Sequence, residues 1–235
     1  MIMSTIEQNL QAVRDSIAQA AADAQRAPED VTLLAVSKTF GADAVLTAMR
    51  AGQAAFGENY LQEALDKIAL VKEAAPQHAP AWHFIGPIQS NKTRPIAEHF
   101  DWVHSVDRLK IAQRLSEQRP EELGPLNICL QVNISAEASK SGLTPEELPE
   151  VAAQVAQLPR LRLRGLMAIP APSDDMKLQR AAFAAVRGLY EQLRTVGLPL
   201  DTLSMGMSAD LEAAVAEGAT IVRVGSAIFG ARHYA

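Results

Sequence analysis

The strongest constraint on this chain is a regular alternation of short apolar runs with longer segments rich in Ala, Leu and Glu. The apolar runs are enriched in β-branched residues and predict eight strands, near 31–37, 54–56, 81–85, 101–104, 126–132, 161–167, 200–203 and 220–224. The intervening segments predict helices near 42–51, 59–74, 91–98, 107–118, 145–157, 175–196 and 208–217. Strands that alternate with helices form parallel sheets through right-handed crossovers. An open doubly wound sheet is one solution, but eight units in about 200 residues favour a closed (β/α)8 TIM barrel.

An additional helix is predicted before the first strand, because Ile6, Leu10, Val13 and Ile17 recur at steps of three and four. The N-terminus lacks the basic start and unbroken apolar centre of a signal peptide. No run approaches the roughly 18 apolar residues of a membrane span. No Ser/Gly linker or low-complexity tract divides the chain, so we expect residues 1–235 to form a single domain.

Composition narrows the class of protein. Apolar residues make up 48% of the chain, which predicts a sizeable core, and the net charge of −5 argues against a general nucleic-acid binder. The single cysteine, Cys129, cannot form an internal disulfide and suits a reducing cytosol. It lies in a strand-like run, where we expect a core residue rather than a nucleophile. We therefore expect a cytoplasmic, monomeric protein without membrane or nucleic-acid partners.

Several predicted helices carry end signals. Asn59 and Ser208 stand directly before predicted helices, where their side chains can cap the first turn. Gly52 and Gly218 follow helices where a left-handed residue ends them. The segment 144–148, Thr-Pro-Glu-Glu-Leu, has the composition of a first helical turn.

Lys38 stands at the end of the first predicted strand, after the apolar run 33–36. Active sites of barrels lie at the carboxyl ends of the strands, so this ammonium group is placed at the mouth. A neutral lysine amine there can attack an aldehyde and form an imine. A solvated surface lysine and an ion-pair partner are the alternatives.

Two Gly-Ser turns follow the seventh and eighth strands. Gly206 and Gly225 permit close backbone approach, while Ser208 and Ser226 offer hydroxyl groups beside helix starts. The loops after strands seven and eight are the usual phosphate site of this fold. Opposite a lysine at the end of a strand, they favour an aldehyde that carries a phosphate, for which pyridoxal 5′-phosphate is the obvious candidate.

Arg223 lies inside the last predicted strand, between two valines. Buried arginines rarely lack a partner, so one interpretation is an internal salt bridge to Glu58 or Asp210. The other is contact with a pyridine nitrogen, which an arginine does not readily protonate. An unprotonated ring is a weaker electron sink, which disfavours carbanion chemistry.

The chain resembles the pyridoxal phosphate homeostasis proteins, which share a barrel with the N-terminal domain of bacterial alanine racemase. The matching stretches keep their order along nearly the whole chain: LLAVSKT (33–39), FGENYLQE (56–63), WHFIGPIQSNK (82–92), GLMAI (165–169), LSMGMSAD (203–210) and RVGSAIFG (223–230). The resemblance implies that Lys38 carries the cofactor as a Schiff base and that Arg223 faces the pyridine nitrogen. It further implies that Ser208, Gly225 and Ser226 hold the phosphate. The pocket would also be lined by Asn59, His83, Met167 and Met205. The loop 169–175 departs from the longer polar loop of the family, so its role stays open.

Some of these residues also suit structural roles. Asn59 can cap a helix, His83 can be a satisfied core histidine, and methionines often fill cores. Asn91 and Lys92 begin a helix, where they serve either a second anion or a solvated helix end. The remaining histidines lack the spacing of metal ligands, so no metal site is predicted: His78, His99, His104 and His233.

A racemase needs two bases on opposite faces of its cofactor. Lys38 can be one, but none of Tyr60, Tyr190 and Tyr234 follows a strand end convincingly, Tyr60 being the nearest. The sequence therefore predicts a protein that buffers and delivers pyridoxal 5′-phosphate without robust catalysis, with apo-enzymes that need this cofactor as potential recipients. A low-activity amino-acid racemase is the alternative, and a barrel in which Lys38 reacts with a sugar phosphate is a third interpretation.

Overall fold

A closed barrel of eight parallel strands forms the centre of the molecule, as the sequence predicts. The computed structural model describes residues 4–135 and 141–231. Neighbours in sequence are neighbours in the barrel, and β1 pairs with β8 to close it. The strands are β1 (Thr32–Val36), β2 (Ala55–Glu58), β3 (Ala81–Phe84), β4 (Trp102–Val106), β5 (Leu126–Val132), β6 (Leu161–Ala168), β7 (Thr202–Ser204) and β8 (Ile221–Val224).

Helices surround the barrel on its outer face. They are α1 (Thr5–Asp23), α2 (Ala42–Arg50), α3 (Leu61–Ala74), α4 (Thr93–His99), α5 (Leu109–Gln118), α6 (Leu148–Val155), α7 (Met176–Thr195), α8 (Leu211–Ala216) and α9 (Ser226–Phe229). The additional N-terminal helix is confirmed. Its Leu10, Val13 and Ile17 are buried, and Asn9 Nδ2 donates a 2.9 Å hydrogen bond to the carbonyl of Ile228. Helix α1 therefore fastens the end of the chain near the seam between β1 and β8.

The helix ends agree with the sequence in part. Gly52 and Gly218 have φ of 82° and 98°, so both adopt the predicted left-handed conformation after α2 and α8. The predicted caps Asn59 and Ser208 are wrong. Helix α3 begins after Tyr60 and helix α8 after Asp210, because irregular turns separate each strand from its helix.

Two layers of side chains fill the fold. The outer layer, between strands and helices, is apolar and contains Ala35, Phe56, Phe84, Leu130 and Val222. Cys129 is fully buried, and burial raises the pKa of its thiol to about 12, as suits a core residue. Gly165 brings β6 close to β7, since a Cβ there would stand 1.7 Å from the carbonyl oxygen of Thr202.

Candidate functional site

Lys38 lies in a turn at the carboxyl end of β1 and is half-buried. The strand stops at Val36, and the next residue, Ser37, is still fully buried. Thr39 has φ of 68°, a left-handed conformation that is uncommon for a β-branched residue. The turn therefore leaves the strand sharply at the mouth of the barrel.

The two Gly-Ser turns lie beside that position. A Cβ at Gly225 would stand 3.1 Å from the carbonyl oxygen of Val36, so the turn after β8 packs directly on the end of β1. Gly206 has φ of 99° and a Cβ there would meet Ala214 at 2.5 Å, which explains the glycine. Its carbonyl accepts from the Arg223 N–H at 2.9 Å, so the two turns adjoin. Ser208 and Ser226 are both exposed at this end.

Arg223 projects into the barrel, where only neutral groups contact it. Its Nη1 donates to Ser204 Oγ at 2.7 Å and its Nη2 donates to the carbonyl of Ala168 at 3.0 Å. The predicted salt bridge to Glu58 or Asp210 is wrong, because no carboxylate among the described residues lies within ion-pair distance of this guanidinium. Burial lowers the pKa of Arg223 to about 10, so it is still a cation at neutral pH. The structure thus places a buried positive charge beneath the mouth whose direct hydrogen-bond partners among the described residues are neutral, while Asp210 acts on it from beyond ion-pair distance.

A chain of hydrogen bonds continues from Arg223 across the interior. Ser204 Oγ lies 2.7 Å from His104 Nδ1, and His104 Nε2 lies 2.8 Å from His83 Nδ1. The ring of His83 also stacks on Trp102 at 5.3 Å between centroids. Burial lowers the pKa of His83 to about 3, and burial together with the neighbouring His83 and Arg223 lowers that of His104 well below 6.5. Both imidazoles are therefore neutral and add no charge near Arg223.

The sequence did not single out His104 or Ser204 as site residues. The signal that could have identified Ser204 is the alternation of side chains along a strand. Ser204 is the register partner of Met167, and its hydroxyl contacts Arg223 inside the barrel. The spacing of metal ligands does not detect His104, because its partner is the side chain of His83 on a neighbouring strand. No cluster suited to a metal occurs among residues 4–135 and 141–231.

The other predicted pocket residues lie at different depths. Asn59 follows β2 at the mouth, and its buried Oδ1 has no hydrogen-bond partner within the described parts of the chain. It borders a depression of about 280 Å³ between the ends of β2, β3, β5 and β6. Met167 is fully buried on the strand next to Ser204, and Met205 is fully buried in the outer apolar layer. Met167 thus lies beside Ser204, which Arg223 contacts, and His83 is linked to Arg223 through His104 and Ser204. Asn59 borders the depression at the mouth, and Met205 packs in the outer layer.

Three further expectations concern more distant residues. Asn91 and Lys92 are exposed in a short 3-10 turn before α4. The hydroxyl of Tyr190 donates to the carbonyl of Leu200, ahead of β7 and so at the opposite end from the mouth. His233 and Tyr234 lie outside the described residues. A larger cavity, of about 590 Å³, also lies at that opposite end, beside Gln53, Ala54 and Pro80.

Glu58 pairs with Lys67 of α3 rather than with Lys38 or Arg223. Its Oε1 accepts from Lys67 Nζ at 2.6 Å and also from the hydroxyl of Ser37. Burial raises the pKa of Glu58, although Lys67 and Ser37 act in the opposite direction. This cluster lies on the outer side of β2, which ends at Glu58.

Comparison with known proteins identifies the family. The model described as "Alanine racemase, N-terminal domain" matches residues 8–233. The "Pyridoxal phosphate homeostasis protein" of Pseudomonas aeruginosa is 64% identical over 232 residues, covering 99% of this chain and 98% of that protein. The protein of the same name from Escherichia coli is 56% identical over 232 residues, covering 99% of each.

Solved structures agree with this result. PipY of Synechococcus elongatus, described "with PLP bound", has a TM-score of 0.82 at 38% identity, covering 96% of this chain and 100% of that chain. Alanine racemase of Corynebacterium glutamicum has a TM-score of 0.72 at 18% identity, covering 97% of this chain and 61% of that chain, a likeness of fold alone. On this agreement over its full described length, the chain belongs to the family of pyridoxal phosphate homeostasis proteins, whose barrel is that of the alanine racemase N-terminal domain.

Proposed function

We propose that this protein binds pyridoxal 5′-phosphate at the barrel mouth and buffers or delivers it, without robust catalysis. The observation that carries the proposal is the buried Arg223, whose hydrogen-bond partners in the described parts of the chain are neutral and which lies beneath two glycine turns and a lysine. Family membership and the bound PLP of PipY support the same ligand.

The residues present fit this ligand. A buried cation whose direct described partners are neutral favours an electron-rich acceptor or an anion over an apolar occupant. Asn59 offers a further buried polar atom that has no hydrogen-bond partner within the described residues. Gly206 and Gly225 pack tightly on Ala214 and on the Val36 carbonyl, which keeps both turns at the mouth beside Lys38.

Each part of the ligand has a proposed contact in this chain. Pyridoxal 5′-phosphate supplies an electron-poor aldehyde when it is bound. Lys38 Nζ attacks the carbonyl carbon, a C=N bond forms, and the carbonyl oxygen leaves as water. Ser208, Gly225 and Ser226 hold the phosphate, and Arg223 faces the ring nitrogen as a donor that retains its proton. Asn59 and Met167 border the ring, with His83 and Met205 supporting the pocket from behind.

The absence of robust catalysis follows from the polar groups near Arg223. The hydrogen-bonded chain that starts at this guanidinium contains no acid: it runs through a hydroxyl and two neutral imidazoles. The ring nitrogen therefore stays unprotonated, which weakens stabilisation of a carbanion. Tyr60 is 52% exposed after β2 and is the described tyrosine nearest to the mouth, in a position too open to water for an efficient second base.

Absorption spectra of the purified protein titrated with pyridoxal 5′-phosphate test the covalent contact. We expect an absorption band at about 420 nm, as for a pyridoxal Schiff base. We expect Lys38→Ala to lack this band. The matched control is Lys72→Ala, because Lys72 is an exposed lysine in the last turn of α3. A band that survives Lys38→Ala contradicts the proposed attachment. A band that is lost in this variant excludes the sugar-phosphate alternative, because an imine without a conjugated ring does not absorb visible light.

Function as a carrier needs separate assays. Wild-type protein loaded with the cofactor should transfer it to an apo-enzyme and leave single enantiomers of amino acids unchanged. A deletion strain should show altered pools of free pyridoxal 5′-phosphate and amino acids. Measurable inversion that disappears in Lys38→Ala or Tyr60→Phe would instead favour a low-activity racemase.

A further inference from the structure

The turn that carries Lys38 is held on both sides by helix α3. On one side, Lys67 Nζ donates to the carbonyl of Ser37 at 2.8 Å. On the other, Glu63 Oε1 accepts from the N–H of Thr39 at 2.7 Å. The residues immediately before and after Lys38 are therefore both hydrogen-bonded to one helix, which lies outside the barrel.

Lys67 connects these contacts into one cluster. Besides the carbonyl of Ser37, its ammonium group donates to Glu58 Oε1 at 2.6 Å and to Glu63 Oε1 at 3.0 Å. A lysine has three N–H donors, so each is used. Lys67 is 4% exposed and Glu58 is 0% exposed, so water does not compete for the bond between them, whereas Glu63 is partly exposed. We call Glu58, Glu63 and Lys67 the α3 clamp.

The conformation of the turn explains why a clamp is needed. Thr39 is β-branched and has φ of 68°, a strained conformation that persists only where surrounding contacts impose it. The bond from its N–H to Glu63 is such a contact. The turn also has its own backbone bond, from the Phe40 N–H to the Ser37 carbonyl at 3.1 Å, so the clamp adds the side-chain contacts on either side of Lys38.

We propose that Glu58, Glu63 and Lys67 are positioning residues that aim Lys38 at the aldehyde of the bound ligand. This inference rests on the proposed function and assigns the clamp to the covalent step rather than to docking of the ring and phosphate. The clamp lies on the outer side of β2 and contacts the backbone on either side of Lys38. The proposed phosphate contacts belong to β7 and β8, on the other side of β1.

The test separates capture from docking with two ligands. Pyridoxal 5′-phosphate reports capture, through the rate at which borohydride-trapped mass appears on the Lys38 peptide. Pyridoxine 5′-phosphate has an alcohol in place of the aldehyde and reports docking by calorimetry. In Lys67→Met we expect capture to slow about 10- to 100-fold, as for a misplaced reacting group, while the Kd of pyridoxine 5′-phosphate stays within about twofold. Lys72→Met, on the same helix, should match the wild type in both measurements.

A milder pair of variants keeps the inference testable if Lys67→Met does not fold. Glu63 is partly exposed, and Glu63→Gln retains an Oε1 that can accept from Thr39, whereas Glu63→Ala does not. We expect slow capture in Glu63→Ala and its recovery in Glu63→Gln. Wild-type rates of capture in Lys67→Met or Glu63→Ala would overturn the positioning role of the α3 clamp and leave the proposed function intact. A wild-type protein that neither docks pyridoxine 5′-phosphate nor forms the Lys38 adduct would overturn the proposed function as well.

Discussion

Acid should destabilise this barrel through the two histidines buried inside it. Both are neutral when folded, and burial lowers the pKa of His83 to about 3 and that of His104 well below its ordinary 6.5. In the unfolded chain each takes up a proton as the pH falls through about 6.5, so the free energy of unfolding decreases from there downward. At pH 5, about 1.5 units below the unfolded pKa, protonation of His83 stabilises the unfolded state by about 2 kcal/mol. His104 acts in the same direction, and Glu58 offsets part of the loss because its raised pKa favours the protonated folded state.

Urea unfolding at pH 7.5 and pH 5.0, followed by tryptophan fluorescence, measures the effect. The wild type should lose about 2 kcal/mol or more between these conditions. His83→Gln should show a smaller loss, and comparing the two proteins cancels the contributions of Glu58 and other carboxylates. Imidazole NMR signals give a direct check, since those of His83 and His104 should not titrate between pH 5 and pH 8. Titration of either ring in that range, or an equal loss in His83→Gln, would refute the reasoning.

Three substitutions test the interior and its supports by chemical denaturation. Ser204→Ala removes the hydroxyl that both His104 and Arg223 contact, and it should lower the free energy of unfolding by about 2–4 kcal/mol. The control is Ser16→Ala on the exposed face of α1, which should change stability by less than about 0.5 kcal/mol. Gly165→Ala forces a Cβ against the Thr202 carbonyl and should prevent folding or cost more than about 3 kcal/mol; a stable, cofactor-binding variant would contradict the close packing of β6 and β7. Tyr190→Phe removes one buried hydrogen bond to Leu200 and should cost about 1 kcal/mol without changing ligand affinity.

The sequence predicts the barrel well because each strand and helix carries its own periodic signal. Strand and helix boundaries were less accurate. The prediction ended β2 at residue 56, whereas the strand extends to Glu58, whose side chain pairs with Lys67 and gives no local strand signal. Helix α8 begins at Leu211 because Asp210 accepts from the Met207 N–H and so folds the preceding residues into a turn. Such tertiary and turn contacts decide where an element ends, and they do not appear in periodicity.

The candidate site was predictable where it depends on position along a strand. Lys38 and the glycine turns follow strands, and all strand ends of a parallel barrel meet at one face. The hydrogen-bond partners of side chains were not predictable: a carboxylate was one of two interpretations for Arg223, whereas its guanidinium contacts Ser204, 19 residues away in sequence. The His83–His104 pair joins neighbouring strands through side chains whose depth depends on barrel register. A single sequence does not fix that register.

The pairing of β1 with β8 places Lys38 and the turn at Gly225 next to one another, although nearly the whole chain separates them. During synthesis the lysine therefore leaves the ribosome long before the glycine turn that is proposed to hold the phosphate. Formation of that pair requires a late, long-range closure, which is slow compared with the growth of local helices. A chain truncated before β8 would carry Lys38 without the turn at Gly225, so the two proposed contacts exist together only in the closed barrel.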